Sequence, residues 1–348
     1  MAVTGDGSPE PAEQAPLAAG LPEEQLAGQR LAAGFSGKRV PKGLRRMIAR
    51  GRIAGVILFA DNVGGRSSTR RLIGTLQRIE QPQALSMPLA IMVDQEGGLV
   101  QRVPGPPGAS AAEMGKRGSA YARRKGAATA RSLSGLGINV DLAPVLDVGR
   151  SGSAIAGEGR TFGKSPAAVI AAGVEGFAAG LRDGGVAATA KHFPGLGAAE
   201  VNTDAAAQEI DLPKRRLREV DEAPFRAFVD SGGELVMLSL AVYPAFSDQP
   251  AAFSRSIATG ELRRRLGFEG VSVTDSLDAA AATGFGSRSK VAIGAAGAGS
   301  DLLLYGDWRT ARRAGATLRR ALASGRLDRG EFEASVERVL DLRRGLED

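Results

Sequence analysis

Three short stretches hold most of the side chains able to do chemistry in this chain. They are Asp94-Gln95-Glu96-Gly97-Gly98, Lys191-His192-Phe193-Pro194-Gly195 and Thr274-Asp275-Ser276, and each follows an apolar run. A further run passes through Asp141 into Ala143-Pro144-Val145-Leu146-Asp147. Taken singly, each has a plain structural explanation. An Asp at a strand end commonly caps a helix. Asp275 would cap the segment 276–282, Lys191 and His192 would join a rim salt bridge, and Asp94 would brace the Gly97-Gly98 turn. Taken together, acids with Lys, His and Arg around an apolar-walled cup suit a sugar. Asp and Lys grip hydroxyls in bidentate fashion, and carboxylates act as acid and nucleophile.

Composition narrows the field. The 348 residues contain no Cys and one His, His192. Disulfides, thiolate metal sites and cysteine nucleophiles are excluded, as is a mechanism with two imidazoles. No metal or organic cofactor is expected. The net charge is +7, and only eight of the 45 basic residues are Lys. The Arg residues are spread along helix-like segments, and aromatics are only 5%. A solvated outer face explains this better than nucleic-acid binding, which needs a clustered patch with stacking rings. No apolar run approaches the ~20 residues of a membrane span.

The elements that must position these residues alternate regularly from about residue 23. Eight β-rich runs are read at 31–35, 54–59, 89–94, 138–144, 186–192, 235–240, 270–275 and 301–305. Helical periodicity falls at 66–80, 120–136, 165–182, 213–231, 257–266, 288–298, 308–324 and 328–345. Near-continuous apolar runs such as Gly55-Val56-Ile57-Leu58-Phe59 are those of strands covered on both faces. Eight such repeats predict a single-domain (β/α)8 TIM barrel over 23–348. In a barrel the polar strand ends meet at the C-terminal mouth, whereas Asp301 opens its strand and reads as structural. A doubly wound sheet is the runner-up, but Gly34 and Gly37 lack the G-x-G-x-x-G spacing. Residues 1–22 read as a flexible leader rich in Pro, Gly, Ala and acid. They lack a charged region followed by an apolar stretch, so no intact signal peptide is read. The chain is cytoplasmic as written, or exported and envelope-tethered if its N-terminus was trimmed; it is expected to be a monomer.

These motifs resemble glycoside hydrolase family 3, in its single-domain β-N-acetylhexosaminidase branch. The resemblance runs from about Glu23 to the C-terminus. It rests on GVILFADNV, VDQEGGLVQR, INVDLAPVLDV, GRTFG, KHFPGLG, GVSVTDSLDAAA and AGSDLLLYG. It implies a retaining glycosidase that releases terminal β-linked N-acetylglucosamine from peptidoglycan fragments or related glycans. Asp275 would be the nucleophile, and Asp94, Arg102, Arg160, Lys191 and His192 would bind the sugar. Two departures concern contacts: Leu99 stands where many members have Arg, and Leu196 where KHFPGHG has a second His.

A third departure bears on catalysis. In this branch the loop after KHFPGHG carries D-S-H, whose His is the acid/base. Here the corresponding residues are Asn202-Thr203-Asp204. One outcome makes Asp204 the acid/base, supported by Asn202. The ordinary aspartate pKa of ~3.9 is low for that role, so burial or the nearby charge of Asp275 must raise it. The other outcome is a catalytically impaired glycan-binding envelope protein on the same fold. A β-glucosidase-type activity is a further alternative, though such relatives usually place their acid on an additional domain.

Overall fold

The apolar runs form eight short strands in a computed structural model that describes residues 16–346. They are β1 Leu31–Ala33, β2 Gly55–Leu58, β3 Ala90–Val93, β4 Val140–Asp141, β5 Ala187–Phe193, β6 Leu235–Leu238, β7 Val271–Thr274 and β8 Leu303–Tyr305. Neighbours in sequence pair in parallel from β1 to β7, and β8 pairs with β1. A parallel bridge between Val273 and Leu302 joins β7 to β8 and closes the ring. The expected (β/α)8 barrel is what the chain forms. The expected run 138–144 is a regular strand only at Val140–Asp141, although the N–H groups of Asn139 and Leu142 still bond to β3.

Alternation divides the core in two. Ala32, Ile57, Met92, Val140, Leu142, Met237, Val273 and Leu304 fill the barrel interior. Their neighbours in sequence, among them Leu31, Val56, Ile91 and Leu303, pack outward against the helices. The final helix, Arg329–Gly345, carries Val339 and Leu342 into contact with the interior cluster and plugs the barrel at the N-terminal ends of the strands. Asp301 lies buried at that end, where Arg263 and Arg338 hold it. Removal of its partners would strand a buried charge, so its role is structural.

Helices start where capping side chains satisfy otherwise orphaned N–H groups. Ser165 caps 166–183, Ser287 caps Arg288–Ala298, Asp307 caps Trp308–Ala323 and Asp328 caps Arg329–Gly345. The expected leader needs one correction. Residues 1–15 lie outside the described residues, but residues 17–20 form a 3-10 turn. Ala18 and Leu21 are buried, and the Ala18 N–H donates to Glu337 at 2.8 Å. Two apolar side chains and a carboxylate acceptor on the last helix therefore anchor this part to the barrel. No described helix is long and apolar enough to cross a membrane.

Candidate active site

The mouth of the barrel opens into a cavity of about 450 Å³. Asp94, Arg102, Arg160, Lys191, His192, Asn202, Asp204 and Asp275 all line it. Residues separated by up to 181 positions in the chain thus share one cup, whose apolar parts include Ile57, Phe59, Leu142, Met237 and Leu304.

Lys191 and His192 are consecutive, and strand alternation should point them to opposite faces. The register between β5 and β6 shifts between Lys191 and Phe193, so the strand bulges there and both side chains meet the cavity. Lys191 Nζ lies 2.7 Å from Asp94 Oδ1 and 2.7 Å from Glu96 Oε1. Glu96 also accepts a bidentate pair from Arg160, at 2.8 and 2.9 Å. Arg160 donates further to Glu158 at 3.2 Å. Burial alone would lift the Glu96 carboxyl, but Lys191 and Arg160 outweigh it and bring the pKa down to about 2. Burial likewise opposes the charge on Lys191, and Asp94 and Glu96 reverse this to hold it above the usual lysine range. The result is a fixed array of alternating charge under the cup.

His192 is oriented by Asp147. Its Nδ1 lies 2.8 Å from Asp147 Oδ2, while Asp147 Oδ1 accepts the N–H groups of His192 and Leu196 at 3.1 and 2.6 Å. One buried carboxylate therefore fixes both the imidazole and the backbone that turns away from it. That bond occupies Nδ1, which leaves Nε2 for the cavity. Tyr243 secures the same turn by donating to the Gly195 carbonyl at 3.1 Å.

Asp94 does not brace the glycine turn; Gln95 does. The Gln95 amide donates to the carbonyls of Val103 and Pro106 and accepts from the N–H groups of Arg102 and Val103. Gly97 has φ of 92°, and a Cβ there would meet the Ala109 carbonyl at 2.1 Å, so glycine is required. Arg102 lines the cavity, and its Nε is buried without a partner among the described residues. Asp275 caps no helix. Its Oδ1 accepts the Ser276 N–H at 2.7 Å, and the next helix begins only at Ala280.

The loop carrying Asp204 is seated against the segment that follows β7. Ala280 and Ala281 donate to the carbonyls of Asp204 and Thr203. Asn202 accepts the backbone N–H of Asp204 at 3.0 Å rather than bonding its carboxyl. The expected support from Asn202 is therefore a brace for the loop backbone. Asp204 stands at the rim with part of its surface in solvent. Burial of the remainder, followed by the charge of Asp275, pushes its carboxyl above the ordinary aspartate range.

A family model described as glycosyl hydrolase family 3 N terminal domain matches residues 24–342. The chain belongs to glycosyl hydrolase family 3. It is a glycosidase by that membership. An uncharacterized secreted glycosyl hydrolase of Arthroderma benhamiae is 37% identical over 90% of this family 3 chain and 91% of its own length. A beta-hexosaminidase of Alkalilimnicola ehrlichii is 34% identical over 79% of each chain. Among solved structures, a family 3 beta-N-acetylglucosaminidase from Paenibacillus sp. str. FPU-7 superposes with a TM-score of 0.88 at 33% identity. That match covers 94% of this chain and 64% of the other, so the family 3 barrel here spans less than two thirds of that protein.

Sequence reasoning named Glu96 and Asp147 without giving either a role, and passed over Glu158. A signal for Glu96 was present: residues two apart on extended backbone share a face, so it follows Asp94 into the cup. Asp147 gives no comparable signal, because its partner lies 45 positions away. The charge array makes Glu96 the most costly member of this family 3 site to remove. Glu96→Ala leaves two buried cations short of an acceptor and is expected to lower stability by about 3–5 kcal/mol. Chemical denaturation of both proteins at neutral pH checks this, and a loss under about 1 kcal/mol would show that the array is not load-sharing.

Proposed function

We propose that this protein hydrolyses terminal β-linked N-acetylglucosamine with retention of configuration. Asp275 attacks the anomeric carbon and forms a covalent glycosyl-enzyme ester. Asp204 protonates the departing glycosidic oxygen, then removes a proton from the water that cleaves the ester. Asp94, Arg102, Arg160, Lys191 and His192 hold the sugar, and Asn202 positions the acid through its backbone. In this reading Asn-Thr-Asp takes over the work of the family Asp-Ser-His loop.

One observation carries the proposal. The loop that must supply an acid presents a carboxyl to the cavity shared with Asp275, and that carboxyl is shifted toward its protonated form. A carboxyl whose environment favours its protonated form suits the acid role. Turnover of an aryl β-N-acetylglucosaminide beside the matching aryl glucoside tests the substrate class. The acetamido sugar is expected to be the better substrate, and an equal or inverted preference would refute the assignment.

The pH dependence follows from the shift in Asp204. Acid catalysis needs its proton, so activity is retained below its pKa and lost above it. Because that pKa is raised, the alkaline limb of kcat/KM on a disaccharide is expected above the ordinary aspartate range. A profile from about pH 3 to about pH 9 checks this, using a disaccharide beside an activated aryl glycoside. The limb should weaken for the aryl substrate, which needs less proton transfer. Superimposable limbs would count against Asp204 as the acid.

A further inference from the structure

Among the described residues, two large hydrophobic side chains stand out as exposed: Leu99 at 74% and Val201 at 44%. One solvated leucine or valine is ordinary. Here both belong to the loops that frame the cavity. Leu99 follows Gly97-Gly98 on the hairpin after β3 and itself lines the cup, although most of its surface is open. Val201 precedes Asn202 and Asp204, which line the cup as well. Its N–H donates to the Gln208 side chain at 3.1 Å, so the loop backbone is held where Val201 stands.

The floor of the cup is closed by barrel side chains, Leu142 and Met237 among them. A sugar gripped by the charge array can extend only through the mouth. The leaving group departs on the side of the acid, past Asp204 and its neighbour Val201. Lys191 and Arg160, which also line the cup, are already paired with Asp94, Glu96 and Glu158, so the charges beneath the mouth are matched. A neutral leaving group with an apolar face would cover Leu99 and Val201.

We infer that Leu99 and Val201 form an apolar rim that selects a neutral leaving group with an apolar face, such as an alkyl or aryl alcohol or the face of an uncharged acetamido sugar. The rim deepens the glycosidase reading above and rests on it. Partial burial of one Leu and one Val gives roughly a tenfold preference for a longer apolar leaving group.

The test compares kcat/KM for hexyl and methyl β-N-acetylglucosaminide. The wild type is expected to favour the hexyl glycoside by roughly tenfold, and the double variant Leu99→Ser/Val201→Ser to bring the ratio within about twofold of one. Equal turnover of both alkyl glycosides by the wild type, or a ratio unchanged by the double variant, overturns the rim. If neither glycoside is turned over, the hydrolytic reading fails instead. The same two glycosides titrated calorimetrically against the wild type and the double variant then test the rim alone. A hexyl preference lost in the variant supports it, and equal affinities overturn it.

Discussion

Asp275→Ala is expected to reduce kcat/KM on an aryl β-N-acetylglucosaminide by roughly 10⁴- to 10⁶-fold. No covalent ester can form without that carboxylate, and a good leaving group cannot compensate because attack on the anomeric carbon is lost. Among the described residues the Asp275 carboxyl holds no buried cation, and the one hydrogen bond it accepts is from the adjacent Ser276 N–H. The variant should therefore keep its fold and still bind the sugar. Thermal unfolding beside calorimetric titration with N-acetylglucosamine separates the effects. Retained turnover would remove Asp275 from the mechanism. Absence of turnover in the wild type, with sugar affinity intact in both proteins, would favour the glycan-binding alternative.

The second large effect belongs to Asp204→Ala, and its signature is selectivity. Disaccharides with poor leaving groups should lose roughly 10²- to 10⁴-fold in kcat/KM, the usual share of general acid catalysis. Aryl glycosides with acidic leaving groups should lose less than about tenfold in kcat/KM, because they depart without a proton. Their kcat should still fall, since breakdown of the ester also needs Asp204 as base. Added azide needs no base to attack the anomeric carbon of the ester. It should restore kcat and yield the β-glycosyl azide, whose configuration reports retention. Equal losses on both substrate types would assign the acid elsewhere, with Glu200 and Glu209 the next carboxyls on that loop. The Asp204 carboxyl accepts no hydrogen bond among the described residues, and the loop is held by backbone bonds that alanine keeps, so stability should change little.

How much was legible beforehand differs between neighbouring residues. Asp94, Lys191, His192 and Asp275 stood out because apolar strand runs stop at them, and a barrel brings such stops to one rim. The plain alternatives for two of these stretches fail for separate reasons: Gln95 braces the glycine turn in place of Asp94, and no helix starts at Asp275. The salt bridge read for Lys191 does form, with Asp94 and Glu96, but it is buried under the cup. Asn202 shows the opposite case. Its type and position suggested support for the acid carboxyl, but the amide braces the backbone N–H of Asp204. Side-chain direction within an irregular loop has no period that a sequence exposes.

The sequence by itself determined the elements, the closed parallel architecture and the rim on which chemistry gathers. These follow from local periodicity and from the rule that strands with two buried faces need helices on both sides. Only the tertiary structure decided which charges meet. Glu96 joins Arg160 across 64 positions, and Asp147 joins His192 across 45. It also decided that Asp204 shares a cavity with Asp275, and that Leu99 and Val201 remain uncovered at its mouth. Such encounters depend on ring closure and on the exact bulge in β5. Electrostatic coupling acts through distance in space, and chain separation alone does not specify that distance.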